Sequence, residues 1–407
     1  MTEMYGLLGR RLSHSLSPEI HACLMDYEYR LFCREPEELD AFFSDDSISA
    51  FNVTIPYKIE AYGRCNVLSD TAKRTGSVNT VVRKDGRLFG YNTDYFGLEY
   101  AFDKNGISIE NRKVLILGNG GASKTVQAFI KDRGAKQITV LSRQSTPGYD
   151  SIADYYDSQI IINATPVGMF PENGNSLISL GCFENAEFIF DLIYNPLRTK
   201  LILDARKLGI SRDNGLTMLA AQAFRSAELF TGRKLDEALI DSTCKKVERD
   251  ISNIVLTGMP GCGKSTVGSV LSALTGKELC DTDTLIAEKE KTEIPEIFRL
   301  KGEEYFRQTE TEIIRETGKN GRQIIATGGG AVLRAENREA LKQNGTVIYL
   351  RRDIEKLAKE GRPLSSSDDK VRKLYLERKD IYESFADFIV DVNECPEETA
   401  KTILKLI

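Results

Sequence analysis

No stretch of the 407 residues approaches the roughly 18 consecutive apolar residues that a membrane-spanning helix requires. The opening MTEMYGLLGRRLSHSLSPEI has no long apolar centre of the kind a signal peptide carries. A cytoplasmic protein without a membrane partner is therefore expected. The eight cysteines (23, 33, 65, 182, 244, 262, 280, 395) all lie at least ten residues apart, which excludes CxxC zinc or redox motifs and predicts reduced thiols. Histidine is nearly absent, with only His14 and His21, so proton transfer falls to Lys, Asp or Glu. A surplus of positive charge is missing too: the net charge of −5 argues against nucleic acid as a partner. Repeats and low-complexity tracts are not found. What remains is a composition of ordinary globular type, 41% hydrophobic and 28% charged, in a chain too long for one core, so two or three domains are expected.

Apolar, strand-like runs alternate with helix-like segments: VLILG (114–118), QITVLS (137–142), QIIINA (159–164), EFIFDLIY (187–194), then NIVLTG, QIIATG and TVIYL. Such alternation predicts α/β architecture with parallel sheets between helices. The polar segment 231–250 marks the best boundary, with 246–252 as a linker. Immediately after it, Gly258 to Ser265 read GMPGCGKS, a full GxxxxGK[ST] between a strand and an amphipathic helix. Val267, Val270, Leu271 and Leu274 form the expected buried stripe of that helix and Gly276 its stop. Glycines let backbone N–H groups turn in around phosphate oxygens at a helix N-terminus. Gly261, Cys262, Gly263, Lys264, Ser265 and Thr266 are thus candidate ATP-binding residues, with Lys264 on the β- and γ-phosphates and the Ser265 hydroxyl on Mg²⁺. In ELCDTDTLI, Asp281 and Asp283 are read as ending a second strand, where a spacing of two puts both on one face. One carboxylate could order the metal's water shell and the other take a proton from an acceptor hydroxyl.

Arg307 in GEEYFRQTE, the glycine triplet of ATGGGAV, Arg362 in GRPLS and Arg378 in YLERKDIY follow in order. Together with the phosphate loop, these segments resemble shikimate kinase over 253–392. The resemblance implies that Asp283 binds shikimate hydroxyls and acts as base, that Arg307 and Arg378 clamp its carboxylate, that Gly329 contacts the ring, and that Arg362 neutralises the transferring phosphoryl group from a lid. Asp281 and Ser265 would serve the metal. The chain departs from the family in a short segment before RPL and in Glu394, where an arginine near the adenine can occur.

In the front half, LILGNGGASKTV follows a strand and opens a helix like a dinucleotide-binding turn, with Ser123 at the third glycine position. An NAD site would favour an acidic residue at the end of the next strand; Ser142 and Arg143 stand there instead and suit the 2′-phosphate of NADP. The segments LSHSLSPEIH, FNVTIPYK, GSVNT and GYNTDYFG, rich in short hydroxyl and amide side chains, precede the turn; INATPVGM, DLIYNP and NGLTMLAAQA follow it. Together they resemble shikimate dehydrogenase over roughly residues 4–245. The resemblance implies a substrate domain at 1–100, completed by about 216–245, with a Rossmann NADP domain at 101–215 and the kinase domain at 253–407. It implies that Lys58 and Asp94 are the catalytic pair, with Lys58 as acid. Ser15, Ser17 and Tyr194 would hold the substrate carboxylate, while Thr54, Asn79, Asn92 and Gln222 would bond ring hydroxyls. Gly118, Asn119, Gly120, Gly121, Ala122, Ser142, Arg143 and Gly215 would line the NADP(H) site. Tyr91 departs from the family at the pocket rim.

The expected function is a bifunctional enzyme. Its front half would reduce 3-dehydroshikimate to shikimate with NADPH, and its rear half would phosphorylate shikimate with ATP and Mg²⁺. The alternatives are a quinate-preferring dehydrogenase with a weak kinase half, and a ligand-sensing regulator without chemistry. The latter would have lost Lys58, Asp94, Lys264 or Asp283, and all four are present.

Overall fold

The computed structural model describes residues 3–13, 15–357, 368–392 and 395–407. Arg362, Glu394 and His14 lie outside the described residues. The strands gather into three sheets. In the first, Met4–Gly9 (β1), Tyr29–Cys33 (β2), Ile48–Val53 (β3), Val67–Leu68 (β4), Thr80–Lys84 (β5) and Arg87–Tyr91 (β6) run in the order β2-β1-β3-β5-β6-β4. This sheet is mixed, not wholly parallel, because β5 runs antiparallel both to β3 and to its hairpin partner β6. Its turn is Asp85-Gly86, both with positive φ (51° and 69°), as a tight two-residue connection demands.

The second sheet is parallel throughout: Lys113–Leu117 (β7), Gln137–Leu141 (β8), Ile160–Asn163 (β9), Phe188–Asp191 (β10) and Ser211–Asn214 (β11) lie in the order β11-β10-β9-β7-β8. The third is parallel as well, with Asn253–Thr257 (β12), Glu278–Asp281 (β13), Gln323–Ala326 (β14), Gly345–Arg351 (β15) and Phe388–Asp391 (β16) in the order β13-β14-β12-β15-β16. Strands covered on both faces read as near-continuous apolar runs, and β9, β10 and β12 do so but for the polar residues at their ends, Asn163, Asp191, Asn253 and Thr257; every one of their residues is buried. Each sheet has its own core. The second is an aromatic one, with Phe102 edge-on to Phe129 and Phe188 at centroid distances of 5.2 and 5.3 Å. Truncating such a ring to alanine costs about 3–5 kcal/mol.

The chain divides into two compact units. One holds Met1–Val167, Ser176–Tyr194 and Asp204–Glu248; the other holds Gly168–Asn175, Asn195–Leu203 and Arg249–Ile407. Two short pieces of the stretch expected as one nucleotide domain therefore cluster with the second unit, where the Leu197 amide donates to Asn344 Oδ1 at 3.0 Å and Arg198 Nε to the Lys342 carbonyl at 2.7 Å. The segment at the expected boundary is largely helical: helix Ala238–Ile251 continues to the residue before Ser252, and β12 begins at Asn253. Its apolar positions Ile240, Cys244 and Val247 recur at helical spacing and are all buried, so the pattern persists through the polar composition. In the first unit, helix Gly215–Thr231 returns to pack on β3 and β5 and on helix Asp94–Lys104.

Candidate active sites

Lys58 opens helix Lys58–Arg64, and Asp94 opens helix Asp94–Lys104, at the ends of segments leading out of the first sheet. Their side chains meet with Nζ and Oδ2 2.6 Å apart, the ammonium 17% and the carboxylate 8% exposed. Removing one member of such a pair strands a charge in a dry site, so the two are held together by necessity. The other carboxylate oxygen accepts from Asn79 Nδ2 at 2.8 Å. Asn79 also meets Gln222 Oε1 at 3.4 Å and takes the Thr93 amide on its own Oδ1 at 2.7 Å. Lys58, Asp94, Asn79 and Gln222 thus form one connected cluster.

The cluster rests on polar residues the sequence reading did not single out. Thr93 and Thr80 hydroxyls lie 3.0 Å apart, and each reaches Ser226 Oγ at 3.1 and 2.9 Å. Asn52 donates to Ser226 and Thr80 at 2.8 and 3.0 Å and accepts from the Tyr29 hydroxyl at 2.7 Å. Asn52 and Thr54 share one face of the β3 segment by the two-residue repeat, the signal that could have found Asn52. Asn92 is buried with hydrogen-bond partners of its own. Its amide donates to Thr75, Ser77 and Thr125 hydroxyls at 2.9, 3.0 and 3.2 Å, and its oxygen accepts from the Tyr95 amide at 3.2 Å. It ties the first sheet's end to the helix Gly121–Asp132 and caps helix Asp94–Lys104. Ser15 Oγ accepts from the Ser17 amide at 3.2 Å; Ser17 is buried, Thr54 half-buried, and burial raises the Tyr194 phenol above its ordinary range.

The cofactor turn lies at the C-terminal end of β7. Gly118 has φ 102°, and a Cβ there would come within 2.8 Å of Thr165, so only glycine fits. At Gly120 and Gly121 an added Cβ would meet nothing within 4 Å, which leaves open space over the start of helix Gly121–Asp132, beside Asn119 and Ala122. The Ser142 amide donates to Ser145 Oγ at 2.8 Å, and Arg143 is exposed on the same loop with no ion pair among the described residues. Gly215 approaches the Leu192 carbonyl so closely that a Cβ would lie 2.1 Å from it. The set fits a pyrophosphate on a helix N-terminus with a cation for a further phosphate.

In the second unit, the loop Gly258–Gly263 leads into helix Lys264–Thr275. Of the expected stripe, Val267 and Leu271 are buried, while Leu274 is 52% exposed and belongs to the solvent side. Position 274 shares the face of 267 by the seven-residue repeat, but it lies in the last turn of the helix, one residue before its end at Thr275. Gly276 caps the helix in left-handed conformation, φ 71°. Lys264 Nζ folds onto the carbonyls of Gly258 and Met259 at 2.9 and 3.0 Å. Ser265 Oγ donates to Asp281 Oδ2 at 2.5 Å. Asp283 does not share a strand face with Asp281. Strand β13 ends at Asp281, whose carboxylate caps the next helix, Thr282–Glu290, by accepting the Asp283 amide at 3.0 Å; Asp283 lies in its first turn.

Asp283, Arg307 and Arg378 converge on the glycine triplet. A Cβ on Gly328 would lie 2.7 Å from Asp283 Oδ1, and one on Gly330 would strike the Arg307 guanidinium at 2.4 Å. Arg378 Nη1 and the Tyr382 hydroxyl both donate to the Gly329 carbonyl, the former at 3.1 Å. Both arginines are buried, 7% and 4% exposed. Glu310, one helical turn from Arg307, pairs with it at 2.7 Å. Burial raises the Glu310 carboxyl, against the pull of Arg307. Burial works against the Arg307 charge, but Glu310 and Glu303 together raise its guanidinium above the ordinary value. The i,i+3 spacing of Arg307 and Glu310 was the sequence signal for this pair.

Fold and sites define a chain that joins a dinucleotide-dependent dehydrogenase architecture to a phosphate-loop kinase. Residues 7–81 match the family model for the shikimate dehydrogenase substrate binding domain, and residues 260–407 that for shikimate kinase. The chain is 37% identical over 218 residues to a shikimate dehydrogenase (NADP(+)) of Clostridium beijerinckii, covering 49% of this chain and 80% of that protein. Among solved structures it is similar to a chorismate mutase/shikimate 5-dehydrogenase fusion protein from Clostridium acetobutylicum (33% identity, TM-score 0.58, 61% of this chain, 98% of that one). It is similar as well to shikimate dehydrogenase 1 from Peptoclostridium difficile (34%, TM-score 0.57, 60% and 98%). The chain belongs to the shikimate dehydrogenase family and carries a shikimate kinase domain behind it. No helix among the described residues is long and apolar enough to cross a membrane.

Proposed function

We propose that the front of the chain reduces 3-dehydroshikimate to shikimate with NADPH, and that the rear phosphorylates the 3-hydroxyl of that product with ATP. The observation that carries this reading is a pair of dry, charged sites: the Lys58–Asp94 couple bonded to Asn79 and through it to Gln222, and the Asp283–Arg307–Arg378 cradle around Gly328–Gly330. Residues 1–100 with 216–245, 101–215 and 253–407 are the proposed substrate, NADP and kinase domains.

In the first site NADPH would supply the hydride. Lys58 is placed to give a proton to the ketone oxygen, and Asp94, fixed by Asn79, to orient the ammonium. Ser15, Ser17 and Tyr194 would receive the carboxylate; Thr54, Asn79, Asn92 and Gln222 would face the ring hydroxyls. Gly118 to Ala122, Ser142, Arg143 and Gly215 would take the cofactor. In the second, Asp283 would accept the hydroxyl proton, the two arginine forks would hold the carboxylate, and Gly329 would meet the ring. The phosphates would lie on Gly261 to Thr266. The adjacent oxygens of Ser265 and Asp281 fit the hard-donor preference of Mg²⁺, which would neutralise charge on the phosphates. Arg362 would approach the transferred group.

The purified chain should oxidise shikimate with NADP⁺ and consume ATP only when shikimate is present. Turnover with quinate and NAD⁺ in preference to shikimate and NADP⁺ would overturn the first half. ATP consumption indifferent to shikimate would overturn the second.

A further inference from the structure

The order β13-β14-β12-β15-β16 puts the phosphate loop, at the C-terminal end of β12, at the centre of its sheet. The acceptor residues Asp283 and Gly328–Gly330 follow β13 and β14 on one side. A nucleotide on the loop must then extend over the ends of β15 and β16 on the other, the crevice that open parallel sheets offer to ligands. Two arginines stand at the end of β15. Arg351 is fully engaged: its Nε and Nη2 donate to the two Asp391 oxygens at 2.6 and 2.8 Å. Arg352, the next residue, is not. It is half-buried, its Nε is shut away from solvent without a hydrogen-bond partner, and it makes no ion pair among the described residues.

Its guanidinium also lies beside the loop. A Cβ on Gly263 would sit 3.8 Å from Arg352 Nη1, with Val392 Cγ1 at 4.0 Å on the same spot. A half-buried cation without an internal partner is costly unless something pairs with it. Lys264, meanwhile, spends its donors on its own loop's carbonyls, and a magnesium-bound triphosphate remains anionic after the metal is counted. The protein thus presents an unspent fork of donors where the phosphates of a nucleotide would need one.

We propose that Arg352 is a further nucleotide-binding residue, its guanidinium engaging the phosphates held on the loop Gly258–Ser265. This rests on the kinase reading above, and the test separates the two. In the full-length protein, calorimetric titration with Mg·ADP and with base-free tripolyphosphate is compared for wild type, Arg352→Lys and Arg352→Gln. Arg352→Gln is expected to weaken both ligands about tenfold, the loss of a charge-assisted bond, and Arg352→Lys by less. The KM for shikimate in the kinase assay and the rate of shikimate oxidation should stay unchanged, which also reports that the variants are folded. Affinities within twofold of wild type would overturn the inference alone. So would weakened ADP with unaltered tripolyphosphate, since the residue would then be stacking on the base. Wild-type protein that binds no nucleotide would remove the kinase reading, and the inference with it.

Discussion

In the first unit, Lys58 and Asp94 already hold each other at 2.6 Å, and Asn79, Thr93, Thr80, Ser226 and Asn52 stand behind them in an unbroken chain of hydrogen bonds. In the second, Lys264 is bonded to its own loop, Arg378 Nε and Glu310 Oε1 are buried without partners among the described residues, and Arg352 makes no ion pair among them. Both sites hold opposite charges in little water, yet one is completed by the protein and the other leaves donors and an acceptor over. The proposed chemistry explains the contrast. A proton donor must be oriented and charged before its substrate arrives. Phosphoryl transfer is mostly positioning and charge neutralisation, so the protein's contribution is donors held ready for anions.

The sharpest way to break the comparison is to remove one reacting group from each side. Lys58→Ala should lower shikimate oxidation by about 10²–10⁴-fold, the usual contribution of a general acid or base, and leave phosphoryl transfer at its original rate. Asp283→Asn should do the reverse by a similar factor. A coupled NADP⁺ and ATP assay on each variant checks both; a loss of both activities from either change would mean that the two sites are not independent.

Next in size is Gly330→Ala. The new methyl would lie 2.4–2.6 Å from three atoms of the Arg307 guanidinium, whose other side is held by Glu310 at 2.7 Å. Arg307 must move, and because the site depends on arginines held ready, the KM for shikimate should rise about 10- to 100-fold while the affinity for Mg·ADP holds. Steady-state kinetics with each substrate varied would show it. A rise confined to the nucleotide would mean that Arg307 faces the wrong ligand.

A smaller effect is expected from Ser226→Ala. Its hydroxyl meets Asn52, Thr80 and Thr93, each of which has other partners in the network. Losing it should cost about 1 kcal/mol in denaturant unfolding and only a few-fold in kcat for shikimate oxidation. A thousandfold loss would show that the network is far more brittle than its redundancy implies.

How far the sequence carried this picture differs between regions. The central strands of the second and third sheets were legible because strands buried on both faces are apolar runs, whereas the edge strands β11, Ser-Arg-Asp-Asn, and β16 were not read. The mixed first sheet was not, since β5 and β6 carry Arg83, Lys84 and Arg87 among their apolar residues, and only Asp85-Gly86 betrays the hairpin. Lys58, Asp94, Asn79 and Gln222 were legible as a group, and they meet. The face shared by Asp281 and Asp283 was misread because a carboxylate that ends a strand also caps the following helix, which changes the period at that residue. Asn52, Ser226, Glu310 and Arg352 stayed hidden because their neighbours are distant in sequence or, for Glu310 and Arg352, because single charges look like surface until burial is known.

Acid gives the smallest but most regional contrast. His21, the sole histidine among the described residues, is fully buried in the first unit, stacked on Tyr29 at 4.0 Å and sharing a hydrogen bond with Tyr27 at 2.5 Å. Burial pushes its imidazole down to about 3. Unfolded, it would titrate at its ordinary value near 6.5. The unfolded chain therefore binds the extra proton first, and the stability that a neutral imidazole provides is complete above about pH 6.5 and drains away as pH falls toward 3. The slope is at most about 1.4 kcal/mol per pH unit. His21→Phe keeps a ring for stacking and removes the titration, so its unfolding free energy should fall less steeply than wild type's between pH 6 and 4, whatever its value at pH 7. Tryptophan is absent, so the experiment would follow dehydrogenase and kinase activities after urea exposure at each pH. The variant should flatten the pH dependence of the dehydrogenase midpoint and leave that of the kinase midpoint in place. If both midpoints flattened together, the two units would unfold as one, and the difference between their sites would not extend to their stability.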